Sequence, residues 1–340
     1  MHIIMNKYLL PAAIAIMACD ASASCGSAFC SANTNWDTQG YSSAEGVRVD
    51  LRYSYARANQ LRAGDSKISP QAPSGSDEEI EDLGTTNQLL NLDVEYRLNP
   101  NWSVTLGAPL LIRDHSHTFD SSVVAAFTQQ AKFTALGDVR VVGRYRFDLE
   151  DAHFGGGGLR LGLKLPTGAI DQTMTPADPT GDPASPTNPH PLDRASQPGS
   201  GSTDLIVGAY GYYSHPGSDW AWFVSGQLQS AIAVRDDFRP GAEITLDLGV
   251  HHTLTPNLTA LLQFNAQHRE RDTGSNANPA SGGYSLNLSP GLIYGLARDT
   301  QLYGLLQVAL KQFVNTDPAL PGSGQLTAPW SLTMGISHRY

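Results

Sequence analysis

Charge is scarce in this chain. Only 16% of its 340 residues are Asp, Glu, Lys or Arg, against roughly 25% in soluble domains, yet its mean hydropathy is slightly polar. Long apolar runs are missing as well. Beyond the N-terminus no uninterrupted stretch approaches the ~18 apolar residues of a membrane helix, which excludes a helical membrane bundle. Basic residues are the minority, 22 against 32 acidic, and the net charge of −10 argues against nucleic acid or anionic headgroups as general partners. No G-x-S-x-G, phosphate-binding loop or H-E-x-x-H occurs. A soluble β protein and a membrane β-barrel are left.

Residues 1–23 have the three parts of a secretory signal peptide: Lys7, the apolar stretch 8–18, and the cleavage site Ala21-Ser22-Ala23. Its removal takes Cys19 away and leaves Cys25 and Cys30, in a segment 24–44 expected in the periplasm. In an oxidising compartment the pair reads as a disulfide. A thiolate metal or redox site at this C-x4-C spacing is the alternative.

The other end is a strand. Trp330, Leu332, Met334, Ile336, His338 and Tyr340 alternate with Ser331, Thr333, Gly335, Ser337 and Arg339, so one face suits lipid and the other water. Stopping on Tyr340 resembles the C-terminal signal by which Gram-negative outer-membrane barrels are recognised by their assembly machinery. Similar alternation yields twelve candidate strands, at 47–55, 90–98, 102–112, 139–147, 159–165, 203–213, 220–234, 243–251, 258–265, 284–294, 301–314 and 330–340. An even number suits a closed bacterial barrel.

The links sort by parity. Short ones at 99–101, 149–152, 215–218, 255–257 and 297–300 alternate with mostly long ones at 59–86, 115–135, 169–202, 235–241, 271–282 and 315–328. Tight periplasmic turns and long extracellular loops produce this asymmetry, placing both termini in the periplasm. Tyr96, Trp102, Tyr145, Phe147, Phe154, Tyr213, Trp220, Trp222, Tyr294, Tyr303 and Tyr340 fall near the turn ends as a candidate aromatic girdle. The expected fold is therefore all-β: a transmembrane antiparallel up-and-down barrel of about twelve strands over 45–340.

Function then rests on the inward face. Arg140, Arg144, Arg160 and Lys164 concentrate positive charge on one stretch of wall, with Asp93, Glu95, Glu243 and Asp247 elsewhere, and all eight are expected to line a pore. A buried charge needs water or a partner, so the lumen is either wet or laced with ion pairs. Arg113-Asp114-His115-Ser116-His117 offers His115 and His117 as a candidate metal pair. An outer-membrane phospholipase would carry His-x-Ser followed by Asn-Gly; here His115 and Ser116 are adjacent and no Asn-Gly follows.

Leu136-Gly137-Asp138-Val139, Gly143-Arg144-Tyr145-Arg146-Phe147 and Gly162-Leu163-Lys164-Leu165-Pro166-Thr167-Gly168 resemble strings of the phenol-degradation meta-pathway, transporter-like family of outer-membrane barrels. That family is similar in turn to small aromatic-uptake channels. The resemblance covers mainly 86–340. Together these features lead to the expectation of a Gram-negative outer-membrane channel for passive uptake or efflux of small solutes, aromatic or anionic ones among them. It needs no cofactor and is not an enzyme. Its partners are outer-membrane lipid, the assembly machinery and a small solute, with the oligomeric state open. A non-conducting surface barrel whose loops bind a metal or partner is the alternative, and a barrel-embedded hydrolase the third.

Overall fold

The computed structural model describes residues 32–40, 46–69, 78–121, 127–147, 155–175, 190–215, 217–319 and 324–340. Residues 1–23, read above as a signal peptide, lie outside the described residues, as do Cys25, Cys30, Phe154 and 176–189 of the link 169–202. Twelve strands form the wall: β1 Gly46–Ala58, β2 Glu78–Arg97, β3 Trp102–Ser121, β4 Arg140–Phe147, β5 Gly156–Lys164, β6 Thr203–Ser214, β7 Trp220–Ala233, β8 Glu243–Thr255, β9 Leu258–Arg269, β10 Gly283–Ala297, β11 Thr300–Val314 and β12 Trp330–Arg339. Each pairs antiparallel with its neighbours in sequence, and β1 pairs with β12 from Arg48↔Arg339 to Ala56↔Ser331, which closes the barrel. Closure leaves the wall without an edge to satisfy. Short turns after β2, β8 and β10 lie at one end, together with the start of β1 and the end of β12. This is the turn end; the longer connections define the loop end.

The alternation read from the sequence separates the two faces. Leu159, Leu161, Leu246 and Leu248 are 55%, 62%, 54% and 55% exposed on the outside, while the intervening Arg160 and Asp247 are 8% and 6% exposed within. An apolar exterior over a polar interior inverts the soluble arrangement and matches the lipid-facing band of a membrane barrel. A cation placed there meets hydrocarbon. Leu246→Arg is expected to cost about 2–4 kcal/mol in refolding into bilayers, and the inward neighbour Thr245→Arg clearly less.

Two sequence expectations change. The link 115–135 is largely strand: β3 runs on to Ser121, and Phe127–Leu136 returns to pair with Leu110–Phe119. Pairing is how the backbone of β3 beyond the β4 contact satisfies its N–H and C=O groups. Tyr303 leaves the girdle. It points inward, 5% exposed, with its hydroxyl donating to Asp50 Oδ1 at 2.8 Å. Leu302-Tyr303-Gly304-Leu305-Leu306 is apolar on both faces, so period two could not assign its parity.

Strand β4 leaves β3 at Gly107↔Arg140, and the wall there is completed by the family-like strings. Val139 N donates to Thr167 Oγ1 at 2.9 Å, Thr167 Oγ1 to the Gly137 carbonyl at 3.1 Å, and Gly168 N to Asp138 Oδ1 at 3.0 Å. A Cβ on Gly168 would lie 2.6 Å from the Gly199 Cα, so this seam admits no side chain.

Candidate functional site

The barrel encloses a cavity of about 540 Å³, and all eight residues singled out from the sequence line it: Arg140, Arg144, Arg160, Lys164, Asp93, Glu95, Glu243 and Asp247. They are not equivalent. Lys164 Nζ lies 2.8 Å from Asp204 Oδ2 and 3.4 Å from Asp138 Oδ2, a buried cluster completed by Ser200 and Ser202. Arg160 Nη2 donates to Ser225 Oγ at 2.7 Å. Asp247 Oδ1 accepts from Asn265 Nδ2 at 2.8 Å, and Asp93 lies 3.4 Å from Arg52. Arg140 and Glu243 have no ion-pair partner among the described residues, so they offer uncompensated charge to whatever enters. Partial pairing explains how so many charges coexist in one lumen.

The loop end folds partly inward. Arg113 Nε donates to Asn87 Oδ1 at 2.7 Å and its Nη1 to the Ser196 carbonyl, while Ser200 N donates to Asp138 Oδ2 at 2.9 Å. These contacts hold 196–200 against the cavity, where Gln197, Pro198 and Gly199 also line it. Phe238, 1% exposed, packs there beneath the Arg194 guanidinium.

At the turn end the lumen is occupied by the chain itself. Of the segment 24–44 expected in the periplasm, the described part, 32–40, lies within the barrel, with a short 3-10 turn at Trp36–Gln39. Asn33 fixes it to the wall: its N–H donates to Gln263 Oε1 at 2.9 Å and its carbonyl accepts from Gln263 Nε2 at 2.8 Å. Trp36 is 2% exposed in a socket of Phe223, Leu261, Ile293, Tyr303 and Leu305, meeting Tyr303 edge-on at 4.7 Å. Its neighbour Asp37 accepts from Arg48 Nη1 at 2.9 Å, Arg97 Nη2 at 2.6 Å and Arg144 Nη1 at 2.9 Å. Arg144 also meets Glu95 at 3.1 Å. The segment thus crosses the lumen from an arginine wall on β1, β2 and β4 to an apolar socket on β7 and β9–β11. Burying Trp36 supplies an apolar contribution of a few kcal/mol.

Burial alone would push the Asp37 carboxyl up; the guanidinia of Arg48, Arg144 and Arg97 outweigh it and hold the group well below the usual carboxylate range. With the folded value depressed, the contact is fully present above the ordinary Asp range and is lost as pH falls through the lowered value. Acrylamide quenching of Trp36, taken as the difference between the natural chain and Trp36→Phe, should therefore stay flat from pH 8 to 5. It should rise only in strongly acid solution.

Sequence alternation found the wall charges and missed their occupant. Trp36 and Asp37 precede the first strand and carry no periodicity, while Asp138, Asp204 and Asp50 lie near or within strand patterns but acquire their roles through partners distant in the chain. One signal was available: Phe223, Leu261, Ile293 and Leu305 are apolar at inward positions, which a water-filled lumen would not select. His115 is also inward and buried, its Nδ1 2.8 Å from Thr85 Oγ1, and so points away from the adjacent Ser116. The side chain of His117 lies outside the described residues. Among the described residues, no three His, Cys, Asp or Glu side chains gather as metal ligands.

No family model matches the chain, and no curated protein matches it. Solved structures do. An outer-membrane channel from Pseudomonas putida F1 shares the fold with a TM-score of 0.56, covering 88% of this chain and 97% of that one at 14% identity. The β domain of the Bordetella autotransporter BrkA has a TM-score of 0.45 at 12% identity, covering 87% of this chain and 100% of its own. The CymD monoaromatic hydrocarbon channel has a TM-score of 0.44 at 12% identity, covering 88% and 89%. The chain is a closed twelve-stranded antiparallel barrel with the fold of outer-membrane barrels.

Proposed function

We propose that the protein is an outer-membrane channel for passive passage of small solutes, closed at its periplasmic end by its own N-terminal segment. The observation that carries this is a charged, cavity-bearing lumen inside an apolar exterior. A purely structural barrel would fill its interior with paired or apolar side chains; this one keeps about 540 Å³ and leaves Arg140 and Glu243 without an ion-pair partner among the described residues. Such a volume lies in the ~300–1,000 Å³ range of small-molecule pockets. Arg140, Arg144, Arg160 and Lys164 would form one side of the path and Asp93, Glu95, Glu243 and Asp247 the rest. The likeness to the P. putida channel supports this role. The strings around Asp138 and Lys164 argue for the phenol-degradation meta-pathway family and for aromatic solutes, and the basic stretch of wall for anionic ones.

In this orientation the turn end and both termini face the periplasm, and the exposed C-terminal Tyr340 ends the strand offered to the assembly machinery. In planar bilayers the purified protein should give discrete conductance steps, rare for the natural chain and frequent once the N-terminal segment is detached. Silence from both forms would exclude a channel.

A further inference from the structure

The contact that holds Asp37 is a carboxylate-binding site in its own right. Three guanidinia from three strands converge on one carboxylate at 2.6–2.9 Å, and that carboxylate is 3% exposed. Arg48, Arg97 and Arg144 belong to the wall, whereas Asp37 belongs to a segment outside the strand ladder. The receptor is therefore built by the barrel and its occupant is separable. Arg48 and Arg144 also line the cavity, so a solute arriving from the loop end meets the same groups. Arg144 has spare capacity: it is 2% exposed, yet among the described residues its Nε and Nη2 have no acceptor even with Asp37 in place. Arg160, its register partner on β5, likewise keeps a buried Nε without an acceptor among them. Removing Asp37 without replacing its charge would leave Arg144 with Glu95 as its ion-pair partner beside a second buried guanidinium, which opposes undocking in the absence of an anion.

We propose that the pocket of Arg48, Arg97 and Arg144 binds the carboxylate of a small organic acid, and that Asp37 occupies it when no solute is present. A solute carboxylate and Asp37 then compete for one site. Because the occupant is tethered, it acts at an effective concentration on the order of millimolar for a flexible linker and higher while Trp36 stays docked, so solute at millimolar concentration or above competes with it and shifts the N-terminal segment toward its undocked state. Entry of the permeant acid and opening of the periplasmic end are thereby one event. This rests on the channel function proposed above.

Benzoate, with benzyl alcohol as its neutral analogue and inorganic phosphate as an unrelated anion, tests the site in planar bilayers and by calorimetry. Millimolar benzoate should raise the open fraction of the natural protein at least tenfold, and benzyl alcohol and phosphate should not. Asp37→Asn should already be open, show no further response in conductance, and bind benzoate at least tenfold more tightly than the natural chain. Arg48→Gln, which leaves Arg144 intact for folding, should lose most of the benzoate response. The proposal is overturned if benzoate leaves the natural chain closed while the form lacking 32–40 conducts, if phosphate acts equally well, or if Asp37→Asn binds benzoate no better. Absence of conductance in every form, with benzoate binding still strengthened by Asp37→Asn, would count against the channel and leave the carboxylate site standing.

Discussion

Replacing Trp36 with alanine is expected to raise the open fraction of the proposed channel by roughly 10² to several 10³-fold. The ring is 2% exposed among Phe223, Leu261, Ile293, Tyr303 and Leu305. Truncating a buried Trp to Ala costs about 3–5 kcal/mol, and here the loss falls on docking of the segment. The barrel itself closes through β1 and β12 and does not use Trp36. Each 1.4 kcal/mol is about a factor of ten in the docked population. Trp36→Phe keeps an aromatic ring in the socket and should shift the open fraction far less. Single-channel recording checks both variants, and an unchanged open fraction in Trp36→Ala would mean that the socket does not govern closure.

The second large effect separates two arginines four residues apart on β4. Arg144 is buried against Asp37 and Glu95, at 2.9 and 3.1 Å. Arg144→Ala leaves both carboxylates without this partner and is expected to lower barrel stability by about 3–5 kcal/mol, seen as a lower denaturant midpoint in refolding experiments. Arg140 lines the same cavity without an ion-pair partner among the described residues. Arg140→Ala should change stability by no more than about 0.5 kcal/mol. Its effect is electrostatic: loss of an uncompensated positive charge should move the reversal potential in a salt gradient toward cation selectivity. Equal midpoints for the two variants would show that the Arg144 ion pairs contribute little to the fold.

The barrel was legible because its information is local. Period-two alternation sorts Leu159, Leu161 and Leu163 from Arg160, Gly162 and Lys164 without knowledge of any partner, and loop lengths sort the two ends. The eight lumen residues followed from the same parity. Where parity is degenerate, as at Leu302–Leu306, the face of Tyr303 was lost, and with it the apolar socket. The N-terminal segment was not legible at all, since its place depends on contacts spanning the chain, such as Asn33 with Gln263 and Asp37 with Arg144. The strings around Gly137 and Lys164 could be recognised as a pattern; only the folded wall shows that they pack as one glycine-tight seam.

The most direct test is a paired recording of the natural protein and a form lacking residues 32–40, in the same bilayer and salt. Rare, brief openings in the natural protein and sustained conductance in the shortened form are expected, with Trp36→Ala between them. Equal conductance in the natural and shortened forms would contradict closure of the lumen by this segment.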